Sequence, residues 1–390
     1  MNNKQPKARV LAYYLPQFHP IPENDLWWGK GFTEWTNVGK AKPLFPGHYQ
    51  PRVPADLGYY DLRVPETRKA QADMAREYGV EGFVYWHYWF GNGKRLLERP
   101  FNEVLVSGEP DFPFALAWAN ETWSGFAHGV RDHKQVLIEQ KYHGDEDYIA
   151  HFYEVLPAFK DKRYIQCEGK PIFIVYHMHQ LPDAKQFVDL WQKLAKENGL
   201  EGIYFIAYQC DTYGDKNEQT ALNIAYDNHF DAINIVNLKN CGQCPNYESN
   251  ISGIWQWLVH KVMFKKLKKW PNFRKYTPEI FKIKLGKHEN IFPSIIPGWD
   301  HTPRTGKGGY LLTDSTPELF EQSVQYAVEQ VASKPYDKRF VFIKSWNEWA
   351  EGNHMEPDLK YGKQYLEALK KNVILEDICV YFLYHLLLIH

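Results

Sequence analysis

The chain has 390 residues, of which 44% are hydrophobic and 24% charged, and its net charge is −1. This composition excludes an intrinsically disordered chain, and the length suits one barrel with insertions. The balanced charge gives no indication of a nucleic-acid partner, and we expect none. Aromatic residues reach 16%, with 14 Trp and 26 Tyr. This excess indicates a cleft for flat, partly apolar ligands such as sugars.

Cysteine usage and the N-terminal segment predict a cytoplasmic protein. The five cysteines are an odd number at scattered spacing, which argues against a disulfide framework. The polar residues 1–7 lack the apolar core of a signal peptide. No stretch reaches the roughly 18–20 apolar residues that span a bilayer.

Eight short apolar runs predict strands, and helical patterns separate most of them. The predicted strands are 9–15, 82–90, 114–119, 172–176, 202–207, 230–236, 291–296 and 340–343. The predicted helices are 65–78, 98–106, 145–159, 183–197, 317–331 and one beginning over 365–371. Segment 20–60, rich in Pro, Gly and Trp, is predicted to be one long ordered loop.

This alternation predicts a parallel sheet with crossover connections, and eight strands predict a (β/α)8 TIM barrel in one domain over residues 1–375. The alternative is an open doubly wound sheet, which usually carries a Gly-rich phosphate turn after its first strand. The run Tyr14-Leu-Pro-Gln-Phe-His19 at that position is not such a turn.

Residues 238–288 are predicted as an insertion between strands six and seven. Its segment 261–275 interleaves lysines with apolar residues such as Phe264 and Trp270. Two interpretations stay open: weak contact with an anionic membrane surface or a lipid-linked substrate, or a solvated helix packed on the barrel. The first would place the protein at the periphery of the inner membrane. The apolar tail 376–390 is too short to span a bilayer, and both packing on the barrel and contact with a membrane stay open.

The stretch 340–353 carries the strongest catalytic signal. It begins as an apolar strand and continues into Glu348 and Glu351, which are flanked by Trp346 and Trp349. Two carboxylates near one bond are the usual apparatus of glycosidic cleavage, and tryptophan faces stack on sugar rings. A Glu-x-x-Glu alone is more often a pair of solvated loop acids. The apolar lead-in and the two tryptophans favour a catalytic site instead.

Polar and aromatic residues follow most other strands, and all strands of a barrel end on the same face. The candidate substrate-binding residues are Tyr14, His19, Trp86, His87, Asn120, Glu121, Trp123, Tyr208, Trp299, Asn347 and Trp349. A wider set adds Tyr88, His177, His179, Asp211 and Asp300. Each residue alone is more often structural than functional, so the hypothesis depends on their convergence.

Two short pairs could belong to a metal site. His177 and His179 lie on one face of a strand, and Cys241-Gly-Gln-Cys244 is a single Cys-x-x-Cys. No further ligand at metal-binding spacing accompanies either pair. We therefore expect no metal and no cofactor.

Four motifs stand out along the chain. They are Tyr13-Tyr-Leu-Pro-Gln-Phe-His19, Trp28-Gly-Lys-Gly-Phe-Thr-Glu-Trp-Thr-Asn37, Trp118-Ala-Asn-Glu-Thr-Trp-Ser124 and Ser345-Trp-Asn-Glu-Trp-Ala-Glu-Gly352. Together they resemble the glycosyltransferase WbsX family, which is similar to glycoside hydrolase family 99, over about residues 8–372. The resemblance implies a (β/α)8 barrel. It also implies a place among enzymes that build or modify surface polysaccharides such as O-antigen.

The resemblance further implies a mechanism. Family 99 contains endo-acting α-mannosidases that retain configuration, and its signature Asn-Glu-Trp-x-Glu-Gly matches residues 347–352. By that match Glu348 is the base that takes the proton of the sugar 2-hydroxyl, whose oxygen attacks the anomeric carbon. Glu351 is then the general acid. It must be protonated at neutral pH, so we expect burial or the charge of Glu348 to raise its pKa.

Three hypotheses on function stay open. The first is retaining hydrolysis of an α-mannoside-like linkage in an oligosaccharide or polysaccharide, free or lipid-linked. The second is transfer of the sugar to an acceptor hydroxyl, as by a glycosyltransferase or transglycosylase, although the sequence has no Gly-rich phosphate loop and no isolated Asp-x-Asp. The third is a non-catalytic carbohydrate-binding barrel, against which Glu348 and Glu351 argue. The identity of the sugar and the oligomeric state carry no prediction.

Overall fold

The computed structural model describes residues 5–125, 135–209, 218–237 and 272–375. Within these ranges, eight parallel strands form a closed ring. The strands are β1 (Arg9–Tyr14), β2 (Gly82–His87), β3 (Phe114–Trp118), β4 (Lys170–Val175), β5 (Tyr204–Gln209), β6 (Ala232–Ile235), β7 (Ile291–Ile295) and β8 (Phe340–Ile343).

Each strand of the ring pairs in parallel with its neighbours in sequence, and the last strand pairs with the first. Leu11 of β1 lies opposite both Gly82 of β2 and Phe342 of β8. On the far side of the ring, Leu116 of β3 lies opposite Phe173 of β4. The predicted (β/α)8 barrel is therefore confirmed, and the open doubly wound sheet is excluded.

Helices connect the strands of the ring, and the longer ones cover its outer face. They are α1 (Pro22–Trp28), α2 (Glu34–Lys40), α3 (Pro65–Glu77), α4 (Arg99–Ser107), α5 (Asp145–Phe159), α6 (Ala184–Glu197), α7 (Glu218–Asp227), α8 (Thr302–Thr305), α9 (Pro317–Val331) and α10 (Gln364–Val373). Proline opens α1, α3 and α9, at a position where the missing N–H costs no helical hydrogen bond. Every residue of β2 and β3 is buried, because helices cover one face and the barrel interior covers the other.

The loops contain shorter strands and 3₁₀ helices. The additional strands are Trp123–Ser124, Val136–Ile138, Gln166–Cys167, Asn272–Lys275, Tyr310–Thr313, Asn347–Glu348 and Asn353–His354. The 3₁₀ helices are Met178–Gln180, Pro278–Phe281, Gly306–Gly308, Tyr336–Lys338 and Trp349–Glu351.

Two predictions about helices are wrong. Segment 20–60 is not one loop, because it contains α1 and α2. These helices have seven residues each, which is too short to display a helical period in the sequence. No helix is predicted between strands five and six, where the structure has α7.

The predicted insertion is described only at its C-terminal end. There Asn272–Lys275 pairs in parallel with Tyr310–Thr313. Asp211, Cys241, Cys244, the basic segment up to residue 271 and the tail 376–390 lie outside the described residues. No helix in the described ranges is both long enough and apolar enough to cross a membrane.

The first and last elements of the barrel meet at the face where the strands begin. The backbone N–H of Lys7 donates to the carbonyl of Val373 at 2.9 Å. Arg9, the first residue of β1, binds Glu81 at 2.6 Å and Asp337 at 2.8 Å. These ion pairs tie the start of β1 to the segments that precede β2 and β8.

Candidate active site

The loop after β8 is a tight hairpin that carries both predicted acids. Asn347–Glu348 pairs antiparallel with Asn353–His354, and the single turn Trp349–Glu351 connects them. Gly352 ends this turn at φ 65°, in the left-handed region. A Cβ at this position would lie 2.9 Å from atoms of Asp300. The turn therefore requires glycine both for its backbone conformation and for its packing.

The Glu348 carboxyl group is held by three donors and is almost fully buried. Trp86 Nε1 donates to Oε1 at 2.8 Å, while Lys344 Nζ and Asn353 Nδ2 donate to Oε2 at 2.7 and 3.2 Å. Its side chain is 5% exposed. Contacts from β2, from the end of β8 and from the hairpin thus fix the orientation of this group.

Glu351 lies closer to solvent and faces three basic side chains. Its side chain is 13% exposed, and Oε1 accepts a hydrogen bond from Arg304 Nη1 at 2.5 Å. His301 Nε2 lies 4.0 Å from the same oxygen, and Lys344 Nζ lies 3.7 Å from Oε2. Lys344 is therefore positioned between the two acids.

Arg304, on α8 just after β7, also binds a third carboxylate. Its Nη2 and Nε atoms lie 3.1 and 3.2 Å from Glu34 Oε2, and Asn37 Nδ2 donates to Glu34 Oε1 at 3.2 Å. Buried acidic and basic groups thus alternate across the mouth of the barrel. We call this set the charged chain, and it consists of Glu34, Arg304, Glu351, Lys344 and Glu348.

The two acids have pKa values shifted in opposite directions. Burial raises the pKa of Glu348, and Lys344 offsets this only in part. Burial also acts on Glu351, but the charges of Arg304 and Lys344 outweigh it and leave the pKa of Glu351 below its ordinary value. The neighbouring Glu351 carboxylate raises the pKa of Glu348 further. The prediction that Glu351 has a raised pKa is therefore wrong, because it did not include Arg304.

Aromatic rings form the wall of the barrel interior below the acids. Trp86 stacks on Tyr13 with ring centroids 4.7 Å apart and an interplanar angle of 10°. The edges of Tyr176 and Tyr208 meet Trp86 at 5.5 and 5.9 Å. The Tyr13 hydroxyl donates to Asn234 Oδ1 at 2.8 Å, which fixes the ring that supports Trp86.

A second tryptophan borders the site from the end of β7. Lys344 Nζ lies 5.6 Å from the ring centroid of Trp299 and 5.5 Å from that of Trp86. Trp299 is itself parallel to the His301 ring at 6.3 Å. The ammonium group of Lys344 is thus held among two aromatic rings and two carboxylates.

Asp300 connects the hairpin after β8 to the loop that follows β1. His48 Nε2 and Gln50 Nε2 lie 2.8 and 2.6 Å from its Oδ2 atom, and the Thr302 N–H donates to Oδ1 at 3.0 Å. The backbone N–H of Asp300 donates to the carbonyl of Glu351 at 2.6 Å. The position of Glu351 therefore depends on contacts made by a different loop.

Four of the predicted substrate-binding residues lie in or around this site. Trp86, Tyr208 and Trp299 border the acids through the contacts described above. Glu121 is at the rim, where its carboxylate lies 3.5 Å from His177 Nε2 and its side chain is 36% exposed.

Two predicted residues face the helices instead of the site. The Tyr14 hydroxyl donates to Gln71 Oε1 of α3 at 2.7 Å, and His87 Nε2 lies 2.8 Å from His151 Nε2 of α5. Both corrections have the same cause. Successive side chains of a strand point to opposite faces, and in each strand the preceding residue is the one that faces the barrel interior.

Asn347 and Trp349 support the hairpin and are not placed to contact a substrate. The Asn347 amide binds the backbone N–H and C=O of Leu15 at 2.7 and 3.0 Å, which fixes the end of β1. Trp349 is fully buried, and its Nε1 atom donates to Glu356 Oε2 at 2.6 Å. Their expected role in sugar binding is therefore corrected to a structural one.

Three further candidates stabilise neighbouring loops. Asn120 binds the backbone of His177 through both ends of its amide, at 2.7 and 2.9 Å. The His19 Nδ1 atom lies 2.9 Å from the carbonyl of Pro16. Trp123 is 2% exposed and packs among aromatic rings. These contacts stabilise the loop backbone and the core.

Sequence reasoning did not find Lys344, Arg304 or Glu34. Lys344 is four residues before Glu348, but this spacing favours an ion pair only on a helix, and the sequence predicts a strand here. Glu34 stands inside a motif that the sequence does single out. Arg304 has no local signal, because its role comes from contacts with residues that are distant in sequence.

Within the described ranges, no group of three or more His, Cys, Asp or Glu residues could hold a metal ion. The imidazole of His177 instead faces the carboxylate of Glu121.

The chain matches the sequence profile described as "Glycosyltransferase WbsX" over residues 10–369. It belongs to this family. The family description names a glycosyltransferase, which is a class of carbohydrate-active enzyme.

Curated relatives match most of the chain and are named as uncharacterized. The chain is 35% identical over 368 residues to the "Uncharacterized protein WxcX" of two strains of Xanthomonas campestris pv. campestris. The match covers 93% of the chain and 49% of the relative. The chain thus spans about half the length of the curated relatives it matches.

Solved structures share the fold of this WbsX-family chain. A "Glycoside hydrolase-like protein" has a TM-score of 0.58 at 15% identity, with 96% of each chain covered. A GH99 endo-alpha-mannosidase from Bacteroides thetaiotaomicron has a TM-score of 0.53 at 15% identity, covering 94% of this chain and 97% of that one. Likeness at this identity establishes the shared barrel.

Proposed function

We propose that this WbsX-family chain is a retaining glycosidase-type enzyme that cleaves an α-mannoside-like linkage in a bacterial surface polysaccharide. One observation carries the proposal: Glu348 and Glu351 lie together after β8 on either side of Lys344 Nζ, at 2.7 and 3.7 Å, and tryptophan rings border this site. Cleavage of a glycosidic bond requires one carboxyl group that gives a proton and one that takes a proton.

The match of residues 347–352 to the family 99 signature Asn-Glu-Trp-x-Glu-Gly supports the sugar's own hydroxyl as the nucleophile. In the usual retaining route a carboxylate attacks the anomeric carbon, and in the inverting route a water between the two carboxyl groups attacks it. Attack by the 2-hydroxyl needs neither a carboxylate at the anomeric carbon nor a water between the acids.

The proposed reaction proceeds in two halves. In the first half, one carboxylate takes the proton of the 2-hydroxyl, and the 2-oxygen bonds to the anomeric carbon. The bond to the leaving oxygen breaks, and that oxygen takes the proton of the other carboxyl group. In the second half, water attacks the anomeric carbon and gives a proton to the second group. The bond between the anomeric carbon and the 2-oxygen breaks, and the first group returns its proton to the 2-oxygen. Both acids end as they began.

The chemistry of this route limits the substrate. The 2-hydroxyl must be free and trans to the leaving group, and α-mannosides meet both conditions. Trp86, Tyr208 and Trp299 are the proposed sugar-contacting rings, because they border the acids and offer flat apolar faces. Glu121 at the rim is the proposed polar contact for a neighbouring sugar unit.

The biological setting is part of the proposal. We place the activity in the metabolism of O-antigen or a related polysaccharide, on a free or lipid-linked chain. The cytoplasm, or the cytoplasmic periphery of the inner membrane, is the proposed location. The support is the WbsX family assignment.

Transfer is the second candidate function, and the family description favours it. The same two acids would serve, with an acceptor hydroxyl replacing water in the second half of the reaction. A transglycosylase of this kind still forms the 1,2-anhydro intermediate. A transferase that uses a nucleotide donor does not require the Glu348–Glu351 pair for bond cleavage in the same way.

The test is to follow anomeric protons by NMR during incubation with bacterial surface polysaccharides and α-mannans. We expect cleavage by the wild type with initial retention, and loss of cleavage in Glu348→Gln and Glu351→Gln. Glu77→Gln, at an exposed position on α3, is the control and should stay active. No cleavage of any polymer, together with sugar transfer from a nucleotide or lipid donor, would overturn the proposal in favour of transfer.

A further inference from the structure

Helix α1 carries two tryptophans on the same side of the barrel as the acids. It lies between β1 and α2, and the loops that follow the strands of such a barrel lie together at its C-terminal face. Trp27 and Trp28, the last two residues of this helix, are both half-buried. The proposed cleavage reaction gives neither ring a role.

The Trp28 ring is backed by a buried ring. It stacks on Phe32 with centroids 4.6 Å apart and an interplanar angle of 19°, and Phe32 is 3% exposed. The exposed area of Trp28 therefore belongs to its other face and its edge. Trp27 meets Trp28 edge to face, with centroids 5.3 Å apart. Rings that fix each other in this way lose little conformational entropy when a ligand binds.

Polar contacts fix α1 without involving either tryptophan. Lys94 Nζ donates to Glu23 Oε1 at 2.5 Å, which connects the helix to the loop after β2. The backbone N–H of Gly31, just beyond the end of the helix, donates to Asp25 Oδ1 at 2.8 Å. A substitution of Trp27 or Trp28 leaves these contacts in place.

A row of ring contacts connects α1 to the acids. The Trp27 ring lies 5.9 Å from that of Trp123, which lies 5.2 Å from that of Tyr88. Tyr88 comes two residues after Trp86, which donates to Glu348. Burial raises the pKa of Tyr88, and the charge of Glu348 raises it further, which indicates that the Tyr88 hydroxyl faces the acids. A surface at Trp27 is therefore continuous with the candidate active site.

The chemistry of α1 favours a sugar over a membrane or a protein partner. Helices that lie on anionic membranes carry Lys and Arg beside their apolar face, whereas α1 carries Glu23 and Asp25 and no basic residue. A stable protein interface takes about 20–30 residues on each side, and α1 has seven. A pyranose ring needs only one flat apolar surface, which an indole provides.

We propose that Trp27 and Trp28 form a platform that binds a sugar unit of a long polysaccharide at a distance from the bond that is cleaved. The inference takes its ligand class from the proposed function, and it adds that the substrate extends from the acids across α1. Only a long chain reaches both places. The enzyme should therefore favour long substrates over short ones, because the remote contact adds binding energy.

Binding without turnover is the first test. A protein with both Glu348→Gln and Glu351→Gln is titrated by calorimetry with α-mannan and with the surface polysaccharides of the NMR test. Each polymer is supplied as a disaccharide and as a long fragment. We expect at least one long fragment to bind about tenfold more tightly than its disaccharide, a difference of about 1.4 kcal/mol.

Trp27→Ala and Trp28→Ala in this protein should remove that advantage. Each should raise the Kd of the long fragment by about 2- to 13-fold, which corresponds to a ring contact of about 0.5–1.5 kcal/mol, and leave the Kd of the disaccharide unchanged. Trp28→Tyr keeps an aromatic face and should retain most of the affinity. Leu26→Ala, the matched control, removes a side chain that is 82% exposed on the same helix and should change neither Kd.

Turnover gives a second measurement. In the enzyme with both acids intact, Trp27→Ala and Trp28→Ala should lower kcat/KM on the polymer and leave kcat/KM on the shortest cleaved fragment unchanged. A purely structural role of the two rings in packing the loop would lower both values alike.

Two results would overturn the inference. The first is equal affinity for long and short fragments, or no binding of any fragment. The second is an equal effect of the Trp27 and Trp28 substitutions on long and short fragments, with circular dichroism showing folded protein.

Failure of this inference and failure of the proposed function are distinguishable. Binding of long fragments through both tryptophans, without cleavage of any polymer, would support the platform and contradict the proposed function. Cleavage that is independent of chain length and of both tryptophans would support the proposed function and contradict the platform.

Discussion

The ammonium group of Lys344 lies 2.7 Å from Glu348 and 3.7 Å from Glu351, so one cation serves both acids. Its side chain is 8% exposed, and the lysine comes from the same strand end that carries the hairpin. The environment of both acids therefore depends on a residue that the two-acid motif does not include.

Lys344→Met should destabilise the fold in a pH-dependent way. Removing the cation raises the pKa of Glu348 further and lifts that of Glu351 from its lowered value. A carboxyl group with a higher folded-state pKa contributes less stability as pH rises through that value. A buried charge left without its partner costs about 3–5 kcal/mol. We expect a larger loss of unfolding free energy at pH 8 than at pH 5, measured by urea unfolding.

The control for this variant is Lys193→Met, which removes an exposed partner of Glu197. This substitution should alter the unfolding free energy by no more than about 0.5 kcal/mol at both pH values. An equal loss for Lys344→Met at pH 5 and pH 8 would show that Lys344 acts through packing and not through charge.

Trp86→Phe should weaken catalysis while keeping the fold. The variant loses the 2.8 Å hydrogen bond from Nε1 to Glu348 but keeps a ring to stack on Tyr13. A hydrogen bond to a charged group is worth about 1.5–3 kcal/mol, so kcat/KM should fall by about 10- to 150-fold. The measurement is kcat/KM on the polymer that the wild type cleaves.

Trp191→Phe is the matched control for this change. This variant also loses an indole hydrogen bond, the one from Trp191 Nε1 to the carbonyl of Tyr148 at 3.0 Å. That bond joins α6 to α5 and lies away from the acids. Activity should then be nearly unchanged. If both variants lose activity equally, the indole N–H of Trp86 has no special role.

Glu356 should make stability depend on pH near neutrality. Burial raises its pKa to about 7, although Trp349 and Gln71 donate hydrogen bonds to it. The pKa of Glu356 is higher in the folded state than in the unfolded state. Its protonated form therefore contributes fully to the unfolding free energy below about pH 4.3. As pH rises to about 7, this contribution falls by about 3 kcal/mol.

Glu356→Gln should remove this dependence. The unfolding free energy of the variant, relative to that of the wild type, should increase from pH 5 to pH 8. Urea unfolding across this pH range measures it. Glu146→Gln, at an exposed position on α5, should follow the wild type throughout. A wild type and a Glu356→Gln variant with parallel pH curves would mean that Glu356 does not titrate in this range.

Long elements of the fold could be predicted closely from the sequence. The predicted helices 145–159 and 317–331 match α5 and α9 at both ends, because fifteen residues display several turns of a helical period. The short α1, α2 and α7 contain too few apolar residues to show such a period in the sequence. Their conformation depends on packing against the barrel.

The site could be predicted only where it is local. Glu348 and Glu351 share one hairpin, so one stretch of sequence contains both. The sequence does not show that Tyr13, and not Tyr14, faces the barrel interior. The reason is that β1 is buried on both faces, and a strand of this kind shows no alternation that marks its inner side. Arg304 and Glu34 are 270 residues apart, and their contact is a product of the closed ring.

The contact between Lys7 and Val373 lies at the face where the strands begin, and the acids are at the opposite face. A surface linker attached to the side chain of Lys7 therefore departs from the back of the barrel. A molecule immobilised in this way directs its mouth outwards, where a long polymer in solution has free access.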